Sequence, residues 1–224
     1  MAKRRLPESF GFYSVLTDPV KGYGYLTSLL VDYGVSAVQL RMKGAPRELV
    51  VNTALQMRKI TEGTNTLLII NDDPRIAAEI GADGVHVGQS DMPYNDVRAI
   101  VGDDMLIGVS THNLNQTINA CQLPADYIGV GPVFATPTKK IPDPVIGIDG
   151  MREMLSSSTV PAVAIGGIDL GNLPAVLAAG AKSFCMVRQL TQSENPKSVL
   201  DEIIRIVDSF KSTTSYRPPA PPKQ

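Results

Sequence analysis

The 224-residue sequence contains no tryptophan, only two cysteines and two histidines, and aromatic side chains make up 5% of it. These scarcities remove several classes of protein. Cys121 and Cys185 lack C-x-x-C spacing and lie in apolar or helix-like surroundings, which excludes a disulfide framework and a thiolate zinc site and leaves two reduced, buried thiols. His86 and His112, without cysteine partners, make a poor transition-metal set. A formal net charge of −1 supplies no broad positive field, so nucleic acid and an anionic membrane are not expected partners, and any anion must be held by a local cluster. No uncharged apolar run reaches bilayer length, and the charged start Met1-Ala2-Lys3-Arg4-Arg5 precedes no apolar stretch of signal-peptide length. The expectation is a cytoplasmic protein acting on small molecules, with homo-oligomerisation left open.

Hydrophobic residues make up 43% of the chain, enough for one sizeable core. Short runs rich in Val and Ile alternate with segments of helical period from Phe10 to about Lys211, the rhythm of a parallel sheet. The predicted strands are Tyr13 to Thr17, Ala37 to Arg41, Leu67 to Asn71, Gly84 to Val87, Leu106 to Ser110, Tyr127 to Val133, Ala162 to Gly166 and Phe184 to Val187. Predicted helices include Arg47 to Ile60, Pro74 to Ile80, Asn95 to Val101, Asn113 to Cys121, Gly150 to Leu155, Leu173 to Ala179 and Pro196 to Phe210. Runs such as Leu67-Leu68-Ile69-Ile70 lack polar alternation, which fits parallel strands covered on both faces. Eight such units predict an α/β fold: a single (β/α)₈ TIM barrel over residues 1–211. A six-stranded doubly wound sheet is the alternative, but no G-x-G-x-x-G follows the first strand. Residues 212–224, rich in Ser, Thr and Pro, are expected to form a disordered, flexible tail.

Polar, reactive residues collect at the C-terminal ends of the predicted strands, which in such a barrel form the catalytic face. In the second strand a period of two puts Gln39, Arg41 and Lys43 on one side, where a forked guanidinium, a mobile ammonium and a neutral amide suit a diphosphate beside a polar ring. Asn71-Asp72-Asp73 and Gly88-Gln89-Ser90-Asp91 end the third and fourth strands with hard oxygen donors; Asp72 and Asp91 are the candidate Mg²⁺ ligands, whereas Asp73 before Pro74 is equally a helix cap. Ser110 is the candidate anion contact of the fifth strand, with His112 read as a surface or capping residue and His86 as a satisfied core histidine. After the sixth strand a long connection carries Thr136-Pro137-Thr138-Lys139, with the chemistry of an anion-binding lid. Gly166-Gly167 after the seventh strand and Val187-Arg188 after the eighth suit a monophosphate held by backbone N–H groups.

These segments, taken in order, closely resemble the thiamine phosphate synthase family. The matching stretches are Val38 to Lys43, Ile70-Asn71-Asp72, Ala82 to Asp91, Gly108-Val109-Ser110, Asp126 to Phe134, Thr136 to Lys139 and Ala164 to Ile168. The resemblance implies a transferase that joins 4-amino-2-methyl-5-hydroxymethylpyrimidine diphosphate to 4-methyl-5-(2-phosphooxyethyl)thiazole, releasing pyrophosphate in a dissociative, Mg²⁺-assisted reaction. It implies that Gln39, Arg41, Lys43, Asn71, Ser110 and Lys139 bind the pyrimidine diphosphate, with Arg41, Lys43, Ser110 and Lys139 promoting departure of pyrophosphate. It implies that Thr136, Pro137, Thr138, Gly167, Val187 and Arg188 hold the thiazole phosphate and that Asp72 and Asp91 hold Mg²⁺. The three cations and the metal, less its two aspartates, leave about +3 facing a diphosphate of about −3.

The chain departs from the family pattern at Asp73, Arg75 and Arg188, where arginine, aspartate and serine are common. Three rivals stand beside the synthase, of which another phosphate-handling barrel, such as an isomerase of amino-acid biosynthesis, would leave the two aspartates and Thr136-Pro137-Thr138-Lys139 unexplained. A thiazole tautomerase of the same family would carry a histidine where this chain has Pro132, and a catalytically silent phosphate-binding barrel would have no use for Asp72, Asp91 and Lys139 together.

Overall fold

A computed structural model describes residues 9–136 and 143–215. Eight parallel strands close into a barrel in sequence order: β1 (Gly11–Leu16), β2 (Ala37–Leu40), β3 (Leu67–Asn71), β4 (Gly84–Val87), β5 (Leu106–Thr111), β6 (Tyr127–Val130), β7 (Ala162–Ala164) and β8 (Ser183–Met186). The helices between them are α1 (Tyr23–Asp32), α2 (Arg47–Thr61), α3 (Pro74–Glu79), α4 (Tyr94–Val101), α5 (Leu114–Gln122), α6 (Gly147–Ser157) and α7 (Leu173–Ala178), followed by α8 (Arg188–Thr191) and α9 (Pro196–Ser215). Pairing of Tyr13 with Cys185 on one side and Ala37 on the other closes the cylinder at β1. Among the described residues no helix is long and apolar enough to cross a membrane.

Alternation along each strand divides the core in two. Tyr13, Val15, Leu67 and Ile69 belong to an inner cluster with Leu106, Tyr127, Val163 and Cys185, while Phe12, Leu16, Leu68 and Ile70 pack outward under the helices. That is why the apolar runs read as continuous: both faces of these strands are covered.

The predicted elements differ from the observed ones at their ends, for identifiable reasons. β6 stops at Val130, not Val133, because Pro132, which follows a cis Gly131–Pro132 bond, has no N–H for the ladder. β7 stops at Ala164, short of Gly166 and Gly167, both of which adopt positive φ (100° and 64°). The four-residue helix α8 at Arg188 was not anticipated. α9 continues past Phe210 through Ser215, since no glycine or proline interrupts it before Pro218, so the boundary expected between Lys211 and Ser212 falls inside a helix.

Candidate active site

The strand ends surround a cavity of about 530 Å³ whose wall includes Gln39 and Arg41 from β2 and its exit, Asn71 from β3, Ser110 from β5, Thr136, Gly166 and Gly167, and Val187 and Arg188 at the exit of β8. Its floor is made by the inner layer, including Tyr13, Val15, Tyr127, Val163 and Cys185.

The second strand and its exit deliver Gln39 and Arg41 to the cavity as the period of two requires, but not Lys43. Gln39 is 3% exposed and donates from Nε2 to Tyr13 Oη at 2.8 Å. Arg41 follows the last β2 residue, its N–H donating to Leu16 O, and its guanidinium donates to Thr17 Oγ1 at 3.2 Å. Lys43 turns away from the main cavity: its Nζ pairs with Asp72 Oδ2 at 2.9 Å in an adjoining depression, which Asn71 also borders.

Asp72 adopts φ 66°, a conformation few side chains take outside glycine, and this bend swings its carboxylate out of the ladder. Burial holds the Asp72 carboxyl above its ordinary pKa; the bond from Lys43 pulls it down and the hydrogen-bonded Asp91 carboxyl pushes it up again. Asp91 is itself held by the Gly88 N–H, which donates to Oδ2 at 2.7 Å, and a Cβ at Gly88 would lie 2.9 Å from that oxygen. Two carboxyls from neighbouring strand ends thus meet in a half-buried place, the donor set a hard divalent cation takes. Among the described residues no group of three or more His, Cys, Asp or Glu side chains gathers as a metal cluster, so such an ion would draw its remaining oxygens from water and substrate.

Asp73 is a cap: Oδ1 accepts the N–H of Arg75 and Ile76 at the start of α3. Asn113 caps α5, leaving His112 another role; its Nδ1 bonds Gly131 O at 2.6 Å and its Nε2 stands 3.5 Å from Asp143 Oδ2, at the far end of the long connection. The opposite wall depends on close backbone approach. A Cβ at Gly131 would meet Ile165 O at 2.0 Å, and one at Gly167 would meet Ala135 O at 2.6 Å. Pro137, Thr138 and Lys139 lie outside the described residues.

His86 differs most from its reading as a core residue. It is satisfied, through Nδ1 to Tyr127 Oη at 3.0 Å and Nε2 to Ser110 Oγ at 2.9 Å, yet it lines the cavity and reaches the anion candidate directly. Tyr13, Tyr127 and Cys185 were likewise not read as part of the site. Applying the alternation of β2 to every strand would have found them, because Tyr13 and Val15, His86, and Tyr127 and Gly129 occupy inward positions. Burial is the main reason the Tyr13 and Tyr127 hydroxyls are held above the ordinary phenol pKa, and it pushes the Cys185 thiol up to about 12. The floor therefore offers neutral hydroxyls and an inert thiol, not a nucleophile.

The family model for thiamine monophosphate synthase matches residues 25–190, which include every strand end of the cavity wall after β1. The chain belongs to that family. It is 38% identical over 186 residues to the thiamine-phosphate synthase of Caldicellulosiruptor bescii, covering 83% of this chain and 85% of that one. It is also 38% identical over 178 residues to the thiamine-phosphate synthase of Vibrio parahaemolyticus, covering 80% and 87%. Among solved structures, thiamine phosphate pyrophosphorylase from Pyrococcus furiosus superposes with a TM-score of 0.82 at 28% identity, over 90% of this chain and 96% of that one. 3-Hexulose-6-phosphate synthase, at 17% identity and a TM-score of 0.63, shares the fold alone.

Proposed function

We propose that this chain is a thiamine-phosphate synthase, joining the aminopyrimidine methyl diphosphate to the thiazole phosphate with release of pyrophosphate. The observation that carries the reading is one cavity with two unlike walls: Gln39, Arg41, Asn71 and Ser110 on one side, and the glycine-lined Gly166-Gly167 turn with Val187 and Arg188 on the other. The first wall fits a polar ring bearing a diphosphate. The second fits a monophosphate approached by backbone N–H groups and one guanidinium.

In the reaction the carbon–oxygen bond to the diphosphate breaks, the pyrimidine methyl group bears positive charge, and the thiazole nitrogen captures it. The chain's part is to bind and orient both partners and to stabilise the departing anion, with Arg41 and Ser110 as donors and Lys139 as a further cation from the long connection. Asp72 and Asp91 would hold Mg²⁺, which offsets negative charge on the leaving group. The apolar floor and the neutral tyrosines keep water and competing nucleophiles from the cationic carbon. The small-molecule partners and a cytoplasmic setting belong to this reading, as does a single synthase domain that runs to the end of α9 rather than stopping at residue 211.

Purified protein given both substrates and Mg²⁺ is expected to form thiamine phosphate and pyrophosphate in equal amounts, with loss of both in EDTA and in Asp91→Ala. Binding of the thiazole phosphate without pyrophosphate release would overturn the reading.

A further inference from the structure

A continuous line of hydrogen bonds crosses the floor of the cavity. Gln39 Nε2 donates to Tyr13 Oη at 2.8 Å, Tyr13 Oη meets Tyr127 Oη at 3.0 Å, Tyr127 Oη meets His86 Nδ1 at 3.0 Å, and His86 Nε2 meets Ser110 Oγ at 2.9 Å. Its two ends, Gln39 and Ser110, border the space assigned to the ring and the diphosphate. Of its three middle members, Tyr13 and Tyr127 have so far only closed the floor against water, and His86 has no part in the chemistry described above. Space for it is provided by glycine: a Cβ at Gly108 would lie 2.2 Å from Tyr127 Cζ and 2.5 Å from His86 Nδ1.

Each middle group, as a neutral hydroxyl or imidazole, has one proton to donate, and a buried one cannot be left unpaired, so with each bond of the line carrying one hydrogen the direction of one bond dictates the rest. With the Gln39 amide nitrogen toward Tyr13, Tyr13 must donate to Tyr127 and Tyr127 to His86 Nδ1. The neutral imidazole then carries its proton on Nε2 and gives it to Ser110 Oγ. Two consequences reach the cavity: Gln39 Oε1 is left as an acceptor for the ring, and the Ser110 hydroxyl hydrogen is left for an anion. Turning the Gln39 carboxamide over reverses every bond, so that Ser110 spends its hydrogen on His86 and shows only lone pairs to the cavity.

We infer that Tyr13, Tyr127 and His86 are positioning residues that couple recognition of the ring at Gln39 to recognition of the diphosphate at Ser110. A pyrimidine whose amino group donates to Gln39 Oε1 holds the line in the direction that makes Ser110 a donor to the anion. A ring with a carbonyl at that position favours the reversed line and turns Ser110 lone pairs toward the diphosphate. The resting direction runs from Gln39 to Ser110. The substrate side of this inference rests on the synthase reading; the direction of the line does not.

Two measurements on the full chain test it. NMR of protein containing ¹⁵N-labelled histidine, at neutral pH without substrates, is expected to show neutral His86 protonated on Nε2. Protonation on Nδ1, or on both nitrogens, would overturn the direction. In a double-mutant cycle, Ser110→Ala is expected to lower kcat/KM about 100-fold in the unaltered chain. In Tyr127→Phe, which keeps the ring but cuts the line, that cost is expected to shrink about tenfold, and preference for the amino substrate over its 4-oxo analogue to fall about as much. Additive effects with unchanged preference would overturn the coupling. Tyr13→Phe cuts the line on the other side of Tyr127 and carries the same cycle should Tyr127→Phe not fold. An unaltered chain that releases no pyrophosphate from the aminopyrimidine diphosphate would overturn the reaction and the ring-to-anion coupling together, with the histidine tautomer still testing the direction alone.

Discussion

At the scale of single residues, the site depends as much on side chains that are missing as on those present. Gly108, within β5, and Gly131, just past β6, remove a Cβ where Tyr127, His86 or the Ile165 carbonyl must pass. Gly108→Ala is therefore expected to lower stability by about 1–3 kcal/mol through overpacking, and to reduce activity beyond what partial unfolding explains, because His86 and Tyr127 must shift. Urea unfolding beside a turnover assay on the folded fraction measures both. A urea midpoint and turnover equal to those of the unaltered chain would show that the two rings have room to move aside. Asp72 was legible as an oxygen donor from its type and place, but its positive φ and its contact with Asp91 were not, because no local pattern encodes a bend imposed by a neighbouring strand end.

At the scale of elements, two aspartates repeat one device. Asp83, before β4, accepts the Leu68 N–H of β3 through Oδ2 at 2.9 Å and pairs with Arg58 of α2; Asp126, before β6, accepts the Ile107 N–H of β5 through Oδ2 at 2.9 Å and stands 3.5 Å from Arg98 of α4. Each carboxylate ties the start of its strand to the preceding strand and helix, below the apolar layer and away from the catalytic mouth. Their place in the family pattern is thus architectural. Asp126→Ala, which leaves the Ile107 N–H without its acceptor and Arg98 without its carboxylate, is expected to cost about 2 kcal/mol with KM for both substrates unchanged. A raised KM instead would mean that the pin transmits to the mouth. Helices end near Gly34, Gly63, Gly81, Gly102 and Gly180, each at positive φ, where glycine is the least strained choice. The end of β7 was not legible in the sequence, since it is set where the chain at Gly166 passes close against Pro132 beyond β6.

At the scale of the whole molecule, closure is the event that makes the site. The seam between β1 and β8 is drawn together by the Phe10 N–H, which donates to the buried Ser183 Oγ at 3.1 Å, and by the edge-on packing of Phe10 against Tyr13 and Tyr127. Ser183→Ala leaves that buried N–H unpaired and is expected to destabilise the chain by about 1–3 kcal/mol, read as a lower urea midpoint with an unchanged slope. A smaller slope would show instead that the barrel opens before it unfolds.

Periodicity, composition and glycine placement by themselves determined eight βα units, parallel strands buried on both faces, and a polar set at the strand ends, because these follow from local hydrogen bonding and from how many apolar residues each face must hide. The family pattern then determined which reaction belongs to the chain. Only the tertiary structure decided that Lys43 pairs with Asp72, that Asp73 caps a helix, and that Gln39 reaches Ser110 through Tyr13, Tyr127 and His86. Gln39 and Ser110 stand 71 residues apart in sequence. Closing the cylinder brings their strands around one small interior, where inward side chains with no sequence proximity must satisfy one another's hydrogen bonds.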